Sequence, residues 1–275
     1  MTSTLPTHGV QGIQGIPAAE SGDRRPVGRP GITFSRLLVL EARKLVDTRS
    51  GRWLLISIGL ITATALALVV WFGDPAADTS FAPLLEVAAL VQMVLFPVLG
   101  ILAMTAEFSQ RTGLVTFTVE PRRMRVVLAK LAVAGAWAVV GLLVAVGLAA
   151  IAHLLAVGIR DVPWNWHLDA GQLGGLALAQ VLGVAQGLGF GLLLTSPALA
   201  IVSYFLVPEL WSVLGGLIPR LERVIPWVDL TRPAEVLTNG AMTGTDWAHL
   251  ATGSGVWVAL PLLAGTWLLV RREIA

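Results

Sequence analysis

Long uncharged apolar runs alternate along this chain with short charged or turn-forming breaks. Residues 53–72, WLLISIGLITATALALVVWF, carry no charge and are bracketed by aromatic side chains, the pattern of a membrane-spanning helix with interfacial anchors. Comparable runs follow at 84–106, 131–157, 171–194, 198–218 and 251–270, each close to or longer than the ~20 residues that cross a hydrocarbon core. The predicted fold class is therefore all-α: a polytopic membrane protein of six spans. Before the first span, Phe34, Leu37, Leu38, Leu45 and Val46 recur at helical spacing, with Arg36, Glu41, Arg43, Lys44 and Asp47 between them. Residues 32–50 read as an amphipathic helix along the inner membrane surface or as a cytosolic extension of the first span, with Gly51 as the place where the two pieces part.

The breaks carry their own signals. Residues 1–31 are rich in Gly, Pro and small polar residues, lack the uninterrupted apolar stretch of a signal peptide, and read as a disordered cytosolic tail. The loop GDPAADTSFAP is acidic and turn-forming, and GIRDVPWNWHLDAG supplies Trp164 and Trp166 as interfacial anchors. Thr195, Ser196 and Pro197 make a tight, uncharged inner turn. The segment 219–250, interrupted by Pro219, Pro226 and Pro233, is too broken to span and predicts short helices over the outer mouth.

Charge sets the orientation. Of the 19 basic residues only Arg160, Arg220, Arg223 and Arg232 fall in segments assigned to the outside, which places both termini in the cytoplasm. With 55% hydrophobic and 13% charged residues the chain is too apolar for a soluble domain. Its net charge of +2 is topological, since no basic stripe interleaved with aromatics points to nucleic acid. The absence of cysteine excludes disulfides and thiolate metal sites.

Within this frame residues 107–130, EFSQRTGLVTFTVEPRRMRVVLAK, form the one substantial charged island between two spans. Arg111, Arg122, Arg123, Arg125 and Lys130 outnumber Glu107 and Glu120, while Leu114, Val115 and Phe117 lie in an apolar, β-branched centre closed by Gly113 and Pro121. That is a short docking segment rather than a flexible linker. Inside the spans, Gly183, Gly187 and Gly191 give a face of small residues spaced by four, suited to close helix packing. Pro97 is a potential kink. Glu86 lies near an outer end, and Glu209 lies deep in its span beside Pro208. Glu209 is either a functional carboxylate within the membrane or, if the helix breaks at Pro208, a residue of a wet outer vestibule. His153, without an evident partner, reads as an interfacial imidazole rather than a ligand or proton carrier.

Several chemistries are missing. Neither lysine, Lys44 or Lys130, follows a glycine, so no P-loop exists, and His8, His153, His167 and His249 make no metalloprotease pair. An intramembrane hydrolase would have only Ser203 and His153 to propose. Gln92, Gln172, Gln180 and Gln186, with Glu86 and Glu209, are the few polar groups a channel could use.

Glu41 and Lys44 in LEARKLVDTRSGRW resemble the Glu-x-x-Lys that precedes the first span in the membrane subunits of type-2 ATP-binding-cassette exporters. Glu107, Thr112, Pro121, Arg123 and Lys130 are similar to that family's pattern after the second span, although the turn reads Thr112-Gly113 where the family has Gly-Thr. The resemblance implies a permease of the bacterial plasma membrane, without enzymatic activity and binding no cofactor itself. It further implies a second permease subunit, identical or related, and separate cytosolic ATPase subunits that carry ATP and magnesium. These would dock on the central loop at Arg111, Leu114, Val115, Phe117, Pro121, Arg122 and Arg123 and near the helix of Glu41 and Lys44. Membrane lipids are the remaining partner expected; the rival reading is a channel or scaffold not linked to ATP.

Overall fold

The structure is a computed structural model that describes residues 33–75, 77–109, 122–221 and 223–271. The tail over 1–31 and the central segment 110–121 lie outside the described residues. All regular structure among the described residues is helical, and six helices are long and apolar enough to cross a membrane.

Helix α1, Phe34–Asp47, ends at Thr48, whose extended backbone (φ −75°, ψ 140°) turns the chain and whose hydroxyl accepts the Gly51 amide. Helix α2 then runs Arg49–Phe72. The break therefore falls at Thr48, not at Gly51. Gly51 serves the turn differently: a Cβ there would lie 1.9 Å from the Leu45 carbonyl oxygen, so only glycine lets the two helices meet so closely. Helix α3 spans Phe81–Ser109, α4 Arg123–Arg160, α5 Ala170–Leu194 and α6 Pro197–Leu217. Between α5 and α6, Thr195 takes up a left-handed conformation (φ 57°) and Pro197 opens the next helix, which makes the tight turn. After a 3-10 turn at Pro219–Leu221 and one helical turn at Ile225–Val228 come α7, Thr231–Thr238, and the last span, α8, Gly244–Arg271.

Two helix starts and two internal features of the spans differ from the sequence reading. Helix α4 begins at Arg123, so residues 123–130, expected in the loop, are helical; its 38 residues reach about 57 Å at ~1.5 Å each, well past the hydrocarbon core. Helix α8 begins at Gly244 rather than 251 because Thr243 and Asp246 form a capping box. Inside it lies a π-helical turn, Gly255–Ala259, directly before Pro261, which has no N–H to continue the regular ladder. Helix α6 passes through Pro208 without a break, as α3 passes through Pro97.

Helix α5 is the axis of the bundle, packed against α3, α4, α6 and α8. Buried positions are marked by small side chains rather than by hydrophobicity. On α4 the buried face is a stripe of Ala134, Ala138, Gly141, Ala145, Ala149, Ala152 and Ala156, while Val140, Leu143, Val144, Ile151 and Leu155 face outward. Close approach of backbones replaces the hydrophobic drive that lipid cannot supply. The hydroxyls of Thr62, Thr105 and Thr266 donate to the carbonyls of Ile58, Ile101 and Leu262 one turn back, so each hydroxyl is satisfied within its own helix.

Contacts sort the helix ends into two sets. At one end Arg123, in the first turn of α4, donates to the Leu269 and Val270 carbonyls that close α8. At the other, Arg160, in the last turn of α4, donates to Val70, Trp71 and Gly73 carbonyls at the end of α2. Each guanidinium meets orphan carbonyls at the negative end of a neighbouring helix dipole.

Orientation gives the first testable expectation. Ala77 and Ala241 are exposed at one end and Ser50 at the other, in a chain with no cysteine. Single cysteines at Ala77 and Ala241 should react with a membrane-impermeant maleimide on intact cells, and one at Ser50 only after permeabilisation. Thr79, in the first of these loops, is buried with its hydroxyl on the Pro75 carbonyl and is a poor reporter. Labelling of Ser50→Cys in intact cells would reverse the orientation.

Candidate functional site

At the end of the bundle that holds the N-terminus of α4, three helices meet on a buried charge. Leu37, Glu41 and Leu45 recur every four residues along α1 and are the face that packs inward, against Val126, Ala129 and Val133 of α4 and Leu99 of α3. Glu41 thus sits between two leucines in the packed face, although charge alone assigns it to the polar side. It is 3% exposed. Its Oε2 accepts from Lys130 Nζ of α4 at 2.7 Å, and its Oε1 from Lys44 Nζ at 2.7 Å. Lys130 Nζ also donates to the Ala103 carbonyl of α3 at 3.1 Å, so one ammonium joins α1, α3 and α4.

Burial by itself pushes the Glu41 carboxyl up. The ammonium groups of Lys130 and Lys44, through their charge and hydrogen bonds, more than offset that and hold it below its ordinary value. The Lys130–Glu41 pair is almost fully enclosed, whereas Lys44 remains 45% exposed. A buried pair of this kind fixes register more than it adds stability, because desolvation consumes most of the attraction. A hydrophobic α1 could slide or roll on α4; one with Glu41 must place that carboxylate against Lys130.

The site is built where the chain enters and leaves the central segment. Ala103 lies in the last two turns of α3, Lys130 in the first turns of α4, and residues 110–121 connect the two helices. Arg111, Leu114, Val115, Phe117 and Pro121 lie outside the described residues, as do Thr112 and the side chain of Glu107. Arg122 is exposed at the N-cap of α4. Arg123 turns toward the end of α8, where it donates to the Leu269 and Val270 carbonyls.

Other candidates fall elsewhere. Gly183, Gly187 and Gly191 face α3 of the same subunit: a Cβ on Gly187 would lie 2.3 Å from the Pro97 carbonyl oxygen, and one on Gly191 3.1 Å from that of Ile101. Glu209 is exposed on the outer surface of α6, in the unbroken helix, with no hydrogen bond or ion pair among the described residues. The break at Pro208 on which the vestibule alternative was conditional does not occur. His153 has partners that the sequence does not show: it is fully buried, its Nδ1 donates to the Thr79 carbonyl at 2.8 Å, and its Nε2 faces the Asn165 amide at 3.4 Å. Its ring thereby ties the segment that holds Thr79 to the one that holds Asn165. Trp166 packs edge-on against it, leaving Trp164 exposed. Glu86 is exposed and accepts from Gln172 at 2.6 Å. Gln92 and Gln180 are buried, with Gln180 donating to Gln92 and Gln92 donating to the Gly141 carbonyl.

Sequence reasoning put Glu41 and Lys130 in two separate patterns, before the first span and after the second, and missed that they touch. The available signal was the spacing Leu37, Glu41, Leu45, which puts the acid on the apolar stripe. No protein-family model matches the chain, and no curated protein is significantly similar to it.

Proposed function

We propose that this chain is the membrane-spanning permease subunit of an ATP-binding-cassette exporter, moved by a separate cytosolic ATPase that grips the segment between α3 and α4. The observation that carries the reading is the Lys130 junction. A displacement of residues 110–121 must move the end of α3, the start of α4, or both, and Lys130 bonds to both α3 and α1. Arg123 extends the linkage to the end of α8. A push at the central segment therefore reaches four helices within two turns of the point where it is applied. The chain's two lysines are both held by Glu41, which fits a subunit whose nucleotide chemistry resides in a partner. In this reading ATP and magnesium belong to the ATPase, and a second permease subunit completes the translocation path in the bacterial plasma membrane.

The test compares two variants of the segment. Phe117 is the aromatic anchor expected to fill a groove on the ATPase, where loss of such an anchor costs at least about 2 kcal/mol of binding, while an exposed rim charge such as Arg122 costs less and responds to salt. Phe117→Ala should lose co-purification of the ATPase or uncouple its hydrolysis from transport, with Arg122→Ala affected far less and both proteins still inserted. The purified permease alone should hydrolyse no ATP. Wild-type assembly and transport in a Phe117→Ala, Arg123→Ala double variant would move the motor's grip elsewhere or remove the motor altogether.

A further inference from the structure

The first turns of α2 carry a site that the coupling reading does not use. Arg49, Arg52, Trp53 and Ile56 line one shallow, open recess. Their spacing of three and four places them on a single face of the helix. That face continues upward through Leu60 and points away from the bundle: Trp53 is 68%, Ile56 56% and Leu60 66% exposed. The opposite face, Ile58, Thr62, Leu66 and Val70, holds the core contacts of α2.

The basic groups at this end of the protein are either held inside or exposed, the exposed ones including Arg36, Arg43 and Arg122. Lys44, Lys130 and Arg123 have internal partners. Arg49 and Arg52 are exposed and make no hydrogen bond or ion pair among the described residues. Between Glu41 and Leu60 the sequence holds one further carboxylate, Asp47, and Glu41 itself is turned inward to the lysines. Two guanidiniums are thus left uncompensated at the level where a spanning helix enters the bilayer, directly below an indole and a run of apolar side chains.

We propose that this recess binds an anionic phospholipid, with the phosphate held by Arg49 and Arg52, the indole of Trp53 at the glycerol level, and an acyl chain lying along Ile56 and Leu60. Guanidiniums match phosphate oxygens in a planar fork, and tryptophan favours the interface between headgroup and hydrocarbon. The apolar continuation distinguishes a lipid from a free anion: phosphate alone would leave Trp53, Ile56 and Leu60 with nothing to do. The site lies on the lipid-facing side of α2, so occupancy requires no opening of the bundle. It does not depend on an ATPase partner.

Native mass spectrometry of the detergent-purified full chain tests this, titrating phosphatidylglycerol, phosphatidylcholine, glycerophosphoglycerol and inorganic phosphate separately. The first phosphatidylglycerol should bind more tightly than the first phosphatidylcholine. An Arg49→Gln, Arg52→Gln variant should lose about 30-fold in affinity for phosphatidylglycerol, roughly 5-fold for each charge, with phosphatidylcholine unchanged. Both side chains are exposed, so the fold should survive the substitutions. Arg36→Gln, Arg43→Gln on the exposed side of α1 should leave the first phosphatidylglycerol in place, and the two acyl-free ligands should not saturate. Undiminished phosphatidylglycerol binding to the Arg49, Arg52 variant would overturn the proposal. Inorganic phosphate bound as tightly as the lipid would overturn it too, by showing a site for a free anion.

Discussion

Lys130→Met should destabilise the folded protein by about 3 kcal/mol or more, because it leaves the Glu41 carboxylate enclosed with only the half-exposed Lys44 to compensate it. Removing one partner of a buried ion pair is far more costly than removing both, since the penalty is that of an uncompensated buried charge. Glu41→Gln together with Lys130→Met should therefore recover most of the loss. Lys44→Met, which touches the same carboxylate from the exposed side, should cost no more than about 1 kcal/mol. The measurement is the thermal midpoint of each detergent-purified variant, with limited proteolysis of α1 as a local reporter. A Lys130→Met protein with the wild-type midpoint would show that the pair does not hold α1 in place.

Acid should reproduce the effect. The Glu41 carboxyl is held below its ordinary value of 4.5, so its contribution to stability is fully present above that pH and is lost as pH falls through the depressed value in the folded protein. The stability difference between wild type and Glu41→Gln should accordingly be constant from neutral pH down to about 4.5 and shrink below it.

How much of this was legible beforehand depends on what lipid does to sequence patterns. The six apolar helices follow from length and lack of charge, and the two inward-turned charges do not. In a soluble helix apolar periodicity separates core from solvent. On α2, Leu60 and Leu68 face outward while Ile58 and Leu66 are buried, and no hydropathy scale separates them. The readable signal is size: alanines and glycines mark the packed face of α4, and of its glycines Gly141 is the one in tight contact, against Phe96 and Gln92. Gly147, equally visible in sequence, meets nothing within 4 Å. Polar residues were misread in the opposite sense. Glu41 reads as part of the polar side of α1 and His153 as an imidazole without a partner, yet each is buried against a partner distant in sequence, Lys130 or the Thr79 carbonyl, that offsets the cost of burial. Such partners belong to tertiary structure and leave no local trace. Proline misled too: Pro208 suggested a break, yet α6 continues through it, as a helix can in a setting where neighbouring groups satisfy the freed carbonyl.

Gly187→Ala should be among the most disruptive single-methyl additions in the bundle, and Gly187→Leu should prevent native packing of α5 on α3. A Cβ at this position falls 2.3 Å from the Pro97 carbonyl oxygen, 3.0 Å from its carbon and 3.1 Å from its Cα. All three are backbone atoms of a packed helix, so no side-chain rotation relieves the clash and one helix must move off the other. Overpacking of this kind costs roughly 1–3 kcal/mol for a small group and more for a branched one. Neighbouring glycines provide the comparison. At Gly183 the nearest atom is Pro97 Cγ at 3.4 Å, an ordinary contact, so Gly183→Ala should be nearly neutral. At Gly59 and Gly147 there is open space, and alanine should stabilise by up to about 1 kcal/mol through helix propensity alone. Thermal midpoints and recovery of monodisperse protein across these four alanine variants give the ranking. A Gly187→Ala protein as stable as Gly183→Ala would mean that α3 and α5 do not approach as closely as this. Should the expected ranking hold, the Pro97 region of α3 is rigidly seated on α5, and any motion begun at the central segment has to pivot about that contact rather than slide through it.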